Sequence, residues 1–339
     1  MSDTRVLVWT GRDDAALCEK LARLEGVEVV EASPERGELL RQITEAEAFI
    51  GQAAHWGRDI ATAMANAPKL RWLQLCNAGF DNVERAGVPE HIVVSNMGRV
   101  TSEVIAEHAV ALLLASMRSV AAFVDATRAR QWAPGEFSGR VIPLWKKHVA
   151  VLGFGPIGRN IRDRLRAFDA QVTAVARTAR SNDDGTEVVP YHGLSQILRK
   201  VDALVIACPH KPATIGLVDE HAFAAMKPGG FLVNISRGTI VDTDALIAAL
   251  DSGRLAGAAL DVTDPEPLPQ SHALWRCPNL IITPHVSFAG GGAAVRADLE
   301  SLLIDNVRRF LAGEELPTRV TIDHSQRAPG GPEFSHLDL

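Results

Sequence analysis

The chain alternates short apolar runs with stretches whose apolar residues recur every three or four positions. Runs at 5–10, 27–31, 48–51, 72–76 and 93–95 predict strands. Between them, 13–24, 37–46 and 59–65 carry helical spacing. The alternation restarts at His148, where runs at 148–152, 171–175, 187–189, 203–206, 230–234, 257–260 and 280–283 predict a second set of strands. Repeated strand–helix–strand units imply parallel sheets with helices on both faces. The expected fold class is therefore α/β, with two doubly wound parallel-sheet domains.

Three stretches organise these halves. Residues 102–118 predict a long helix with Ser102 as its N-cap, and its apolar positions run nearly all the way round. Such a helix is buried, between domains or between subunits. Residues 131–145, punctuated by Gly and Pro, read as a crossover loop. A last helix over 292–311 returns the chain to its first half. This gives a first domain of 1–100 completed by 290–323, an inserted domain of 101–289, and a tail at 324–339 with little to bury.

The inserted domain opens on HVAVLGFGPIG, 148–158. The strand 148–152 reads as buried on both faces. Gly153, Gly155 and Gly158 follow in G-x-G-x-x-G spacing, and Ile157, Ile161, Leu165 and Phe168 then mark one face of a helix. Strand, glycines and helix in this order describe a Rossmann dinucleotide site, with Gly153 turning tightly and Gly155 admitting a pyrophosphate to the helix N-terminus. Phe154, Pro156 and Ile157 complete that loop. An acid for the ribose hydroxyls is expected about 20 residues on. Ala176 stands there instead, followed by Arg177, Thr178, Ala179, Arg180 and Ser181. Guanidiniums and hydroxyls suit a 2′-phosphate, so NADP is expected over NAD.

Polar groups stand at further strand ends. They are Arg237 in VNISRGTIVD, Asp261 and Glu266 in ALDVTDPEPLP, and His285 in ITPHVS. Glu266 follows Arg237 by 29 residues and precedes His285 by 19, so each comes from a separate strand end. With the loop NAGFDNV (77–83) and the helix VIAEHAVALLLASMR (104–118), these motifs resemble the D-isomer-specific 2-hydroxyacid dehydrogenase family over most of the chain. The glyoxylate/hydroxypyruvate reductase-like, NADPH-dependent branch is the nearest in kind. The resemblance implies a Rossmann domain inserted in a flavodoxin-like substrate domain, and a catalytic set of Arg237, Glu266 and His285. A histidine titrates near neutrality and is a natural donor to a carbonyl oxygen. Glu266 would orient its ring, and Arg237 would hold the substrate carboxylate and polarise the carbonyl. Asp261 is implied near the nicotinamide end, with Cys208, Pro209 and Ile235 as cofactor wall. Ala78 and Gly79 would offer backbone N–H groups to the substrate carboxylate. The lead-in PLWKKHVAV departs from the family's usual Leu-x-Gly-Lys-Thr-like pattern at Trp145 and Lys146.

Composition narrows the class. Of 339 residues, 47% are hydrophobic and 22% charged, enough for two cores, and the formal net charge of −6 argues against a nucleic-acid surface. The pairs Cys277 with His272 and Cys208 with His210 are too few to ligate a metal. Scattered cysteines, no apolar run of membrane-spanning length and no leader pattern suggest a cytoplasmic protein. The expected function is hydride transfer between NADP(H) and a 2-oxo acid/D-2-hydroxy acid pair in a homodimer. The alternative is a dinucleotide-sensing, corepressor-like regulator on the same scaffold.

Overall fold

The computed structural model describes residues 3–10, 15–53, 56–132, 134–137, 139–181, 184–288 and 292–326. The chain divides into two compact units, Met1–Thr101 with Gly291–Leu339, and Ser102–Gly290.

In the first unit, β1 (Thr4–Trp9), β2 (Val27–Glu31), β3 (Ala48–Gly51), β4 (Trp72–Leu75) and β5 (Val93–Ser95) form one sheet. The order is β2-β1-β3-β4-β5 and every pairing is parallel, the flavodoxin-like arrangement. β3 and β4 are buried along their whole length, as continuous apolar runs require in a sheet covered on both faces. The helices are α1 (Ala15–Leu21), α2 (Arg36–Glu45), α3 (Arg58–Ala65), α4 (Asp81–Ala86) and the last helix, α11 (Gly292–Ala312). Phe49 stacks on Trp56 at 5.7 Å, and Trp72 meets Phe310 of α11 at 5.1 Å. Beneath them lies a buried polar chain. Trp72 Nε1 donates to Ser95 Oγ (2.8 Å), Ser95 Oγ to Gln74 Oε1 (2.7 Å), and Asn306 Nδ2 to the same oxygen (2.8 Å). These bonds fix the end of β4, from which residues 77–81 emerge.

The chain enters the second unit through α5 (Gly98–Met117), followed by α6 (Val120–Arg128). The helix starts one turn before the expected cap: Asn96 Oδ1 accepts from the Gly98 N–H (3.0 Å), and Ser102 lies inside, accepting from Asn160 Nδ2 (3.1 Å). By length and composition α5 could cross a membrane. It buries Ile105, Ala106, Ala109, Val110, Leu112, Leu113 and Met117, exposes Arg99, Glu107 and Ala111, and leaves Val100, Val104, Leu114 and Ala115 half-buried. α6 buries none of its residues and exposes Val120, Phe123 and Val124.

The second sheet contains β6 (His148–Leu152), β7 (Gln171–Ala176), β8 (Arg180–Ser181), β9 (Glu187–Pro190), β10 (Ala203–Ile206), β11 (Gly230–Asn234), β12 (Leu255–Leu260) and β13 (Leu280–Ile282). Its order is β13-β12-β11-β10-β6-β7-β9-β8. All pairs are parallel except β8 with β9, a short antiparallel hairpin that the sequence pattern does not announce. α7 (Pro156–Arg166), α8 (Leu194–Leu198), α9 (Glu220–Ala225) and α10 (Thr243–Asp251) are its other helices. Phe168 falls beyond the end of α7 and is exposed rather than part of its buried face, which is Ile161 and Leu165 with Gly158 and Arg162. Of the expected tail, 324–326 form a short 3-10 turn and 327–339 lie outside the described residues.

Candidate active site

The glycine loop follows β6 directly. Gly153 has φ +104°, and a Cβ there would stand 2.5 Å from the Ala207 carbonyl carbon and the Cys208 nitrogen, so only glycine fits. Gly158 is equally constrained, because its Cβ would come 2.0 Å from Gly153 O. Gly155 differs. It caps α7 with φ −81°, is exposed, and has nothing within 4 Å of its Cβ position. Pro156 follows at the first helical position, where its missing N–H costs nothing. Open space at the start of an 11-residue helix fits a dinucleotide pyrophosphate. Phe154 is buried beneath the loop and Ile157 half-buried behind it.

The loop after β7 carries the arginines. Arg177, Thr178 and Arg180 are exposed, and no carboxylate stands at Ala176. Arg180 folds back through the β8 hairpin, its Nη2 donating to Phe154 O (2.7 Å). The guanidiniums of Arg159, Arg162 and Arg180 sit 5.3, 5.4 and 5.8 Å from the Phe154 ring. Arg162 is the buried member, ion-paired to Asp163 (2.7 Å) and Asp184. The Thr186 hydroxyl and N–H, helped by Arg162, bring the Asp184 carboxyl down to about 2. Sequence reading took α7 as an apolar face and missed Arg159 and Arg162. Their spacing to Phe154 across the turn was the available signal.

Four adjacent parallel strands, β10, β11, β12 and β13, deliver the remaining residues at their carboxyl ends, where ligands of open α/β sheets bind. Cys208 follows β10 by two positions and is buried; desolvation pushes its thiol up to about 12, so it serves as wall rather than nucleophile. Pro209 beside it is exposed, and its carbonyl accepts from Thr214 Oγ1 (2.8 Å). After β11, buried Ile235 donates from its N–H to Ile206 O (3.2 Å). Arg237 is held by Asn234 Nδ2 donating to its carbonyl (2.9 Å) and by its own Nη1 donating to Ser236 O (2.7 Å). Gly238 lets this turn touch the next, since a Cβ there would lie 2.0 Å from the Thr263 carbonyl carbon.

The turn after β13 is held by one residue, Asp261, at the end of β12. Asp261 is buried, 1% exposed. Its backbone oxygen accepts the His285 N–H (2.8 Å), Oδ1 accepts from Val286 N (2.9 Å) and Thr283 Oγ1 (2.6 Å), and Oδ2 from Ser287 N (3.0 Å). Burial alone would raise the carboxyl pKa, yet the bonds from His108, Thr283, Val286 and Ser287 outweigh it and hold it below the usual range. His285 itself adopts φ +52°, a left-handed conformation costing a non-glycine residue roughly 1 kcal/mol or more. Its Nδ1 lies 2.6 Å from Glu266 Oε1, both side chains being half-exposed. Glu266 thus engages Nδ1, and Nε2 is the ring's other nitrogen. An imidazole oriented by a carboxylate can pass a proton to a carbonyl oxygen.

Ala78 and Gly79 belong to the other unit, after β4. Asn77 Oδ1 accepts from the Ala53 N–H (2.8 Å) and Asn96 Nδ2 donates to Ala78 O (3.3 Å), so this loop and the one after β3 are tied. Ala54 and His55 lie outside the described residues. Trp56 is buried against Phe49.

Known proteins are similar to this chain over most of its length. Residues 110–287 match the model of the D-isomer specific 2-hydroxyacid dehydrogenase NAD binding domain. A glyoxylate reductase of Pyrococcus furiosus is 33% identical over 304 residues, 87% of this chain and 88% of that protein. A D-3-phosphoglycerate dehydrogenase of Mycobacterium leprae is 35% identical over 294 residues, and the chain spans 54% of its length. Among solved structures, the TT0316 protein of Thermus thermophilus superposes with a TM-score of 0.77 at 31% identity, over 94% of this chain and 100% of that one. A D-isomer specific 2-hydroxyacid dehydrogenase of Xanthobacter autotrophicus, in complex with NADPH and MES, gives 0.79 at 26%, over 95% and 98%. The chain belongs to the D-isomer-specific 2-hydroxyacid dehydrogenase family, a family of oxidoreductases.

Proposed function

We propose that this protein reduces small 2-oxo acids to D-2-hydroxy acids with NADPH, glyoxylate and hydroxypyruvate being the first candidates, and that NAD(H) serves less well. The observation that carries the reading is the His285–Glu266 pair, 2.6 Å apart on a turn that Asp261 clamps. The bound dinucleotide supplies the hydride. His285, held at Nδ1 by Glu266, gives its Nε2 proton to the carbonyl oxygen as charge develops there. Arg237, permanently charged, pairs with the carboxylate and steadies that oxygen. Ala78 and Gly79 are further candidate substrate contacts through their backbone N–H groups. Gly153, Gly155 and Gly158 admit the pyrophosphate, while Arg177, Thr178 and Arg180 favour a 2′-phosphate. The regulator reading is not favoured, since the named relatives are enzymes.

The four cysteines are free, which suits a reducing, cytoplasmic setting. The assembly is a homodimer. α5 leaves Val100, Val104, Leu114 and Ala115 half-buried and Ala111 exposed, so it stays a candidate for the contact, together with α6 and its neighbour Trp132 (95% exposed). Sedimentation of a single 36.5 kDa species at micromolar concentration would reject the dimer. The test of function is NADPH absorbance loss across a panel of 2-oxo acids. Turnover on at least one of them is expected, and none on any would refute the proposal.

A further inference from the structure

α5 carries one polar group toward the site's support. His108 Nε2 lies 3.2 Å from Thr283 Oγ1 and 3.4 Å from Asp261 Oδ1. Thr283 Oγ1 donates to that same Oδ1, so its hydroxyl oxygen is free to accept from His108. Among the described residues His108 is the one basic side chain within 4 Å of the Asp261 carboxylate. The helix is firmly seated: His108 follows Ala106 and precedes Ala109, both fully buried. Nine residues past His108, the helix ends in buried Met117, and a Cβ at Gly257 would come 2.7 Å from Ser116 Oγ, so α5 lies directly on β12.

Three consecutive amides, those of His285, Val286 and Ser287, bond to Asp261, and they hold His285 in its left-handed conformation. Release of the carboxylate would let the backbone relax toward the extended region that a non-glycine residue prefers, swinging the imidazole away from Glu266. A buried carboxylate holds such a turn only while its own position is fixed and its charge is answered by donors. The Thr283 hydroxyl donates to Oδ1, and His108 Nε2, 3.2 Å from Thr283 Oγ1 and 3.4 Å from Oδ1, reaches the pair from α5 rather than from the turn itself.

We propose that His108 is a positioning residue for the reduction: through Asp261 and Thr283 it locks the 283–287 turn and so keeps His285 facing Glu266. This rests on the reductase reading above for its catalytic consequence, but the lock itself is a property of the fold. His108 touches no reacting atom in this account. A general structural histidine would affect stability alone, whereas a positioning one affects the proton-transfer step and the local opening of one turn.

The test compares His108→Leu and His108→Ala, which remove the donor at two side-chain volumes, with His108→Gln, which returns an N–H near the Nε2 position. Two quantities are read in the full-length protein: kcat and KM with NADPH and an accepted 2-oxo acid, and amide hydrogen exchange of peptides covering 283–287. Loss of one bond to a charged acceptor should lower kcat roughly tenfold and speed exchange at 285–287 by a similar factor, with both KM values held within about twofold. Gln should recover most of both. Whichever of Leu and Ala folds is scored. Unchanged kcat and exchange overturn the proposal, as does a Gln variant no better than Leu, or a loss confined to KM. Should the wild type reduce no 2-oxo acid, the reductase reading fails while the exchange arm still scores the lock.

Discussion

Gly155 and Gly158, given the same substitution, should fail in opposite ways. Gly158→Ala puts a methyl 2.0 Å from Gly153 O and 3.0 Å from its carbonyl carbon. A carbon and an oxygen in contact need roughly 3 Å or more, so α7 and the Gly153 turn must separate by about 1 Å, backbone against backbone. Overpacking of this kind costs roughly 3 kcal/mol, and in a domain of this size each kcal/mol moves Tm by about 2–4 °C. A fall of roughly 6–12 °C is expected on that basis. Gly155→Ala meets nothing within 4 Å at an ordinary φ of −81°, so Tm should stay within about 2 °C. Its methyl enters the space a pyrophosphate needs at the helix N-terminus. Losing one or two charge-assisted bonds there should weaken NADPH binding about ten- to a hundredfold. Calorimetry and titration of NADPH fluorescence read the two effects separately. A Gly155→Ala protein that binds NADPH as the wild type does, or a Gly158→Ala protein with unchanged Tm, would refute the reasoning for that position.

Changing Arg177 and Arg180 together to Ala should raise KM for NADPH far more than for NADH, since each charge-assisted contact to a 2′-phosphate contributes roughly 1.5–3 kcal/mol; equal changes for both cofactors would reject the ribose-loop reading. Arg237→Ala should raise KM for the oxo acid and lower kcat as well, and a change in KM alone would remove the guanidinium from the oxyanion role. Asp261→Asn sets an NH2 against at least one of the Val286 and Ser287 N–H donors, and should cost roughly 1–3 kcal/mol near pH 7. Because the folded carboxyl is held below its unfolded value of about 3.9, its contribution is present above that pH and lost as pH falls through the folded pKa. The stability gap between wild type and variant, followed by denaturant titration, should therefore narrow below about pH 4, and a gap that widens there would contradict the assigned direction.

What could be read from sequence, and what could not, divides along physical lines. β6 and its glycines were legible because a strand buried on both faces, a fixed glycine spacing and a helix each leave a pattern, and the three agree. Apart from β8, the strands of both sheets were legible from their apolar runs, to within a residue or two at their ends. β8 has two residues and no periodicity, so the fold-back of Arg180 onto Phe154 O left no trace in the pattern. α5 and α6 run together as one apolar stretch. Their break is a single left-handed residue, Ser119 at φ +55°, of a type that carries no strong signal for it. Arg237, Glu266 and His285 stood out by residue type and strand-end position. The left-handed backbone of His285 and the part of His108 did not, because both depend on bonds between segments far apart in the chain.

The central claim is that His285, oriented by Glu266, delivers the proton in 2-oxo acid reduction. It is tested most directly by steady-state turnover of His285→Ala against wild type, with NADPH and glyoxylate or whichever 2-oxo acid the panel selects. The account predicts that kcat falls roughly 100- to 10,000-fold while the NADPH dissociation constant and Tm are unchanged. Turnover near the wild-type rate in a folded His285→Ala protein would contradict it.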